Sequence, residues 1–189
     1  IKLVAIGGST GAPPVIQMIL SRLSKDFPVP VVLVQHISPG FIKGMIQWLN
    51  DTTGFSTLLA THGERLLPGR AYFAPDGFQI GVENGGSIVL KKDPPEHGLC
   101  PSVSYLFRSV AGAFGKKAVG VLLTGMGTDG SAELKLMRES GAVTIAQDKE
   151  SSIVHGMPGK AIELGGARYE LNPGEIATML VELVKKSGI

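Results

Sequence analysis

The segment Leu3-Val4-Ala5-Ile6-Gly7-Gly8-Ser9-Thr10-Gly11 runs four apolar residues of strand length straight into a glycine turn. Pro13 and Pro14 follow, and then Ile16, Ile19, Leu20 and Leu23 recur at helical spacing. Proline suits the first turn of a helix, where a missing N–H costs little. Buried strand, tight turn and amphipathic helix form the opening unit of a parallel sheet covered by helices. The unit then repeats. Val31 to Val34 reads as a second buried strand, and Ile42, Met45, Ile46 and Leu49 mark the helix after it.

Between Phe55 and Lys91 the rhythm changes. Short strands around Thr57–Ala60, Ala71–Ala74, Phe78–Val82 and Ser87–Leu90 are separated by Pro-Gly and Asn-Gly turns. Asn84-Gly85 suits a tight hairpin whose two central residues take positive φ. An antiparallel insertion is expected there, followed by a surface loop from Lys92 to Pro101. Val103, Leu106, Phe107, Val110 and Phe114 then give a helix with one buried stripe. Ala118 to Thr124 is the most strand-like run of the chain. A short helix from Ala132 to Glu139 and a strand from Val143 to Ala146 follow it. Asn172, Pro173 and Glu175 spell the start of a last helix, with Ile176, Met179, Leu180, Leu183 and Val184 as its core stripe. The expected fold is α/β: a doubly wound, mainly parallel sheet flanked by helices, with a small antiparallel hairpin insertion. All 189 residues fit one domain.

Composition narrows the function. A formal charge of +2 gives no reason to expect nucleic acid or a membrane surface as partner. The single cysteine, Cys100, permits neither an internal disulfide nor a cysteine-rich zinc site, which fits a reducing cytoplasmic setting. No apolar run approaches the ~18 residues of a membrane span. Secretory signals are missing too. The first residue is Ile1 and a strand begins at once, so the chain reads as a domain cut from a longer protein.

Ligands of open parallel sheets bind beyond the carboxyl ends of the strands. Three predicted ends carry chemistry: Ser9, His36 and Asp129. Gly7-Gly8-Ser9-Thr10-Gly11 fits G-x-S-x-G between a strand and a helix, the setting in which a turn exposes a serine nucleophile. The same residues could merely begin a helix or hold a phosphate. A dinucleotide loop would place glycine where Ser9 stands and an acidic residue where Gln35-His36 stands. A Walker loop would need Gly-Lys-Ser/Thr, which is absent. A lone histidine is more often a surface or satisfied core residue, but His36 ends a buried strand expected to neighbour the first, where it could serve as the base that a serine hydroxyl requires. Asp129 follows the Gly125-Met126-Gly127-Thr128 loop, where its carboxylate could accept the His36 Nδ1 proton and fix the tautomer. It could equally be a turn residue or the cap of the next helix. No histidine spacing suggests a metal.

Three longer stretches go further: Ala5-Ile6-Gly7-Gly8-Ser9-Thr10-Gly11, Gln35-His36-Ile37-Ser38-Pro39-Gly40-Phe41 and Leu123-Thr124-Gly125-Met126-Gly127-Thr128-Asp129-Gly130. With Gly63-Glu64-Arg65-Leu66-Leu67-Pro68-Gly69, Tyr72-Phe73-Ala74-Pro75, Pro101-Ser102-Val103, Ala146-Gln147-Asp148 and Gly156-Met157-Pro158, the chain resembles the chemotaxis protein-glutamate methylesterases, the CheB family. The resemblance spans nearly the whole sequence. It implies a cytoplasmic serine esterase that removes γ-glutamyl methyl esters from the helices of methyl-accepting chemoreceptors, releasing methanol, with glutamine deamidation as an associated activity. By motif position Ser9 is then the nucleophile, His36 the base and Asp129 its partner. The backbone N–H groups of Thr10 and Met126 would form the oxyanion hole. No metal or cofactor is implied. An N-terminal receiver domain, restraining the esterase until phosphorylated, is implied for the longer protein. The sequence departs from the commonest family pattern at Ala12, at Gly98-Leu99-Cys100, at Ser104 and at His155.

Overall fold

The computed structural model describes residues 1–185. Strand β1 (Leu3–Gly8) leads into α1 (Ala12–Arg22), and β2 (Val31–Gln35) into α2 (Ile42–Thr53). Four short strands follow: β3 (Ser56–Leu59), β4 (Arg70–Phe73), β5 (Gln79–Val82) and β6 (Ile88–Lys91). Then come α3 (Val103–Phe114), β7 (Ala118–Leu122), α4 (Ser131–Glu139), β8 (Val143–Gln147), α5 (Met157–Glu163), β9 (Tyr169–Leu171) and α6 (Pro173–Lys185).

Seven strands make one parallel sheet in the order β3-β4-β2-β1-β7-β8-β9. Its central strands are apolar because both faces are covered. Val4, Ile6, Val31, Leu33, Val119, Val121 and Ile145 pack with residues of α1, α2 and α6. Leu3, Ala5, Val32, Val34, Ala118 and Leu122 pack on the other face with residues of α3, α4 and α5. The chain winds outward from β1 to β2 and later returns to add β7 on the opposite side of β1. That reversal opens a crevice at the carboxyl ends of these strands.

The insertion is smaller than its turn residues suggest. Among the named strands only β5 and β6 pair antiparallel, joined by an isolated antiparallel bridge from Arg65 to Ser87, whereas β3 and β4 join the main sheet in parallel. Residues 60–69 carry the chain back so that β4 enters between β3 and β2. Pro68-Gly69 therefore ends a crossover and is no hairpin turn. The Asn84-Gly85 expectation also needs correction. Val82 pairs with Ile88, and residues 83–87 close the hairpin. The Gly86 N–H donates to Glu83 O at 3.0 Å, with φ of 103° at Gly85 and 84° at Gly86. Asn84 keeps negative φ, so only the second central residue needs to be glycine, as in a type II turn. Strand β7 stops at Leu122, two residues short of the expected Thr124. The start of α6 is as read: Glu175 N–H donates to Asn172 Oδ1 at 3.0 Å and Asn172 N–H to Glu175 Oε2 at 3.1 Å.

Candidate active site

Glycine and register bring Ser9 beside His36. Gly8 pairs with Gln35 across β1 and β2, so the next residue of each strand emerges at the same level. The His36 N–H donates to Gly8 O at 3.0 Å, and the Ser9 N–H donates to Thr124 O at 3.0 Å. The turn holding Ser9 is thus fastened to both neighbouring strand ends. Gly125 lies against it so closely that a Cβ there would come within 2.7 Å of Ser9 Cβ and 2.3 Å of Met157 Sδ. Only glycine lets the two loops approach in this way.

The helix behind Ser9 starts without a side-chain cap, with Gly11 at φ 83° and no acidic residue in its first turn. Pro13 and Pro14 remove two N–H groups that would otherwise need partners. The positive end of the helix dipole is therefore left facing the turn. The backbone N–H groups of Thr10 and Met126 donate no hydrogen bond to any described residue. Thr10 O accepts the Thr124 hydroxyl at 3.0 Å.

His36 and Asp129 meet. His36 Nε2 is 2.8 Å from Asp129 Oδ2, with side-chain exposures of 11% and 2%. The sequence reading places this contact at Nδ1. The imidazole is turned the other way, which leaves Nδ1 as its second nitrogen. The structure also corrects the cap alternative. Helix α4, which follows Asp129, has Gly130 as its N-cap and no side-chain cap bond. The carboxylate instead lies on the N-terminus of α3. There Oδ2 also accepts the Val103 N–H at 2.7 Å, and Oδ1 accepts the Ser104 N–H at 3.0 Å. Burial pushes the Asp129 carboxyl up, but hydrogen bonds from His36 and from the Val103 and Ser104 backbone outweigh it and hold the group below its ordinary value.

Ser102 caps α3 by accepting the Tyr105 N–H, and Ser104 Oγ accepts the Gly130 N–H at 2.9 Å. Ser104 and the 125–130 loop therefore hold each other reciprocally. Ser104 Oγ also donates to Glu133 Oε2 at 2.8 Å, and Glu133 in turn pairs with Arg108. Sequence reasoning missed this support because the α3 N-terminus and Asp129 are far apart in the chain. Ser102, just before a helical apolar stripe, was the available signal. Gln35 carries even less signal in the sequence, where it reads only as the absence of an acidic residue.

No hydrogen bond joins Ser9 Oγ to His36 in this structure. Among the described residues no group of three His, Cys, Asp or Glu side chains is arranged to hold a metal ion. No helix among them is long and apolar enough to cross a membrane.

Fold and site together define a class: a doubly wound α/β domain with a serine turn, a histidine–carboxylate pair and free backbone donors at the carboxyl ends of its central strands. The profile of the CheB methylesterase family matches residues 4–180, and the chain belongs to that family. It is 58% identical over 184 residues to the protein-glutamate methylesterase/protein-glutamine glutaminase 4 of Geobacter metallireducens, covering 97% of this chain and 53% of that protein. A relative from Syntrophus aciditrophicus, protein-glutamate methylesterase/protein-glutamine glutaminase 1, is 54% identical, with 96% and 52% covered. The chain thus spans about half the length of the curated relatives it matches. The crystal structure of the Thermotoga maritima CheB methylesterase catalytic domain superposes with a TM-score of 0.92 at 38% identity, covering 96% of this chain and 98% of that one.

Proposed function

We propose that this chain is a serine carboxyl-ester hydrolase acting on γ-glutamyl methyl esters of a protein substrate, with Ser9, His36 and Asp129 as its catalytic residues. The observation that carries the reading is the His36–Asp129 pair, buried beyond the carboxyl ends of the central strands one register step from the Ser9 turn. Ser9 Oγ attacks the ester carbonyl while its proton passes to His36 Nδ1. Asp129 stabilises the imidazolium through Nε2–H. The tetrahedral oxyanion takes hydrogen bonds from the Thr10 and Met126 N–H groups, aided by the α1 dipole. Collapse breaks the bond to the methoxy oxygen, which takes the proton from His36 and leaves as methanol. Water then adds to the acyl-serine with His36 taking its proton; the bond to Ser9 Oγ breaks as His36 returns that proton to it, and the released acid ionises in solvent.

The names of the relatives support the substrate class, and their second half supports glutamine deamidation at the same centre, with ammonia in place of methanol. The chemoreceptor helices of the chemotaxis system are the proposed protein substrate, and the cytoplasm the proposed compartment. A receiver domain is the proposed regulatory partner. Its support is that the relatives are about twice as long as this chain. Methanol release from a methylated chemoreceptor of the same source tests the reading. Production of methanol by the wild-type chain and none by Ser9→Ala is the expected result. Release that Ser9→Ala does not change would refute it.

A further inference from the structure

We infer that Gln35 is a positioning residue for nucleophile and base together: its side-chain amide clamps the carbonyls of Ser9 and His36 and thereby aims the Thr10 N–H at the developing oxyanion. The inference rests on the ester-hydrolase reading above.

Gln35 is the last residue of β2, lies opposite Gly8 and is 4% exposed. Its Nε2 donates to Ser9 O at 3.0 Å and to His36 O at 2.9 Å. Two acceptors fix the orientation of the amide, since the reverse orientation would set its own oxygen against both carbonyls. The other end of the amide gains nothing comparable. Gln35 Oε1 is buried, accepts no hydrogen bond from the described residues and lies where a Gly8 Cβ would come within 3.4 Å. A buried acceptor left in this way costs stability, and an apolar side chain of the same size would avoid the cost. What glutamine adds here is its pair of donors.

Those donors act through the peptide plane. Ser9 C=O and Thr10 N–H belong to one planar trans peptide and point in opposite directions. The Gln35 amide and the Ala12 N–H, itself 3.0 Å from Ser9 O, hold the carbonyl end. The Thr10 N–H is therefore fixed pointing away from them, with no described acceptor of its own. The second bond, to His36 O, ties the backbone of the base to the same amide. One side chain sets the distance between the two peptides that must cooperate.

The test compares Gln35→Met, which keeps length and volume without the donors, with Gln35→Glu, which turns an acceptor toward both carbonyls. A misaimed oxyanion donor weakens the transition state alone. Both variants should therefore lose about tenfold to hundredfold in kcat for p-nitrophenyl acetate, with KM within about twofold. Affinity for an alkyl boronic acid, which mimics the tetrahedral state on Ser9, should fall by a similar factor. Unchanged kcat in Gln35→Met, or a loss confined to KM, overturns the inference. Should both variants fold poorly, the wild-type chain still decides. The Gln35 side-chain amide protons should exchange with solvent far more slowly than those of exposed Gln47, and equal rates overturn the clamp. A wild type that hydrolyses no ester refutes the hydrolase reading, leaving the exchange measurement to judge the clamp. An active wild type with an unaffected Gln35→Met refutes the inference alone.

Discussion

His36 Nε2 lies 2.8 Å from Asp129 Oδ2 across 93 positions of sequence, and that same oxygen accepts the Val103 N–H at 2.7 Å. One carboxylate therefore orients the imidazole and neutralises the N-terminus of α3. Removing its charge has consequences in both places.

Asp129→Asn should cost turnover on the order of 10⁴ near neutral pH, because the amide can hold the wrong imidazole tautomer. It should also destabilise the fold by about 1–3 kcal/mol, since an amide NH₂ is then set against backbone donors of α3 or one acceptor is lost. Steady-state kinetics and urea midpoints on the same preparations check both. Near wild-type turnover would remove Asp129 from the mechanism, and unchanged stability would contradict its role at α3.

The depressed Asp129 carboxyl also sets an acid limit. Its contribution to stability is present above the ordinary carboxylate value of the unfolded chain and is lost as pH falls through the lower folded value. Urea unfolding followed downward from mildly acidic pH should show wild-type stability declining toward that of Asp129→Asn. Parallel curves would mean that the carboxyl titrates alike in both states.

Ser9→Ala should abolish ester hydrolysis with little change in stability, as the Ser9 hydroxyl makes no hydrogen bond to the imidazole. The double variant Ser9→Ala/His36→Gln should be hardly worse than Ser9→Ala, because coupled catalytic groups fail as a unit. Multiplying deficits in a double-mutant cycle would show two independent contributions instead.

Two glycines should respond in opposite ways. In Gly125→Ala the new methyl meets Met157 Sδ and Ser9 Cβ, costing about 1–3 kcal/mol and displacing Ser9. Gly44 stands exposed within α2, and a methyl group there would meet nothing within 4 Å. Gly44→Ala should therefore stabilise by roughly 0.5–1 kcal/mol and leave turnover alone. Thermal melts with an ester assay on each variant separate these cases.

The parallel sheet was legible because burial on both faces leaves uninterrupted apolar strands, as in Leu3-Val4-Ala5-Ile6. The α6 start was legible because its capping bonds span only Asn172 to Glu175. Local polarity is no guide to pairing, however: β3 and β4 read as insertion strands, and their parallel partnership depends on where residues 60–69 lead the chain. Helix α5 and the three-residue β9 offered too short a pattern to read. At the site, Ser9, His36 and Asp129 could be picked from their places after strands. Which imidazole nitrogen faces Asp129, and that Val103 and Ser104 share its carboxylate, depend on packing between distant segments. Gln35 went unread for the same reason, since its acceptors are fixed only once β1 and β2 are side by side.

The placement of β1 between β2 and β7 has a consequence for biosynthesis. Ser9 and His36, the proposed nucleophile and base, both precede the insertion, yet the Asp129 carboxylate reaches His36 only after β7 has docked along β1 from its far side. Such long-range closure comes late, because its entropic cost precedes its reward. During synthesis Ser9 and His36 have no complete charge partner until the segment through Asp129 has followed them and α3 has settled. Chains released at successive lengths should accordingly gain hydrolytic competence in one abrupt step, and the growing polypeptide stays chemically silent before it.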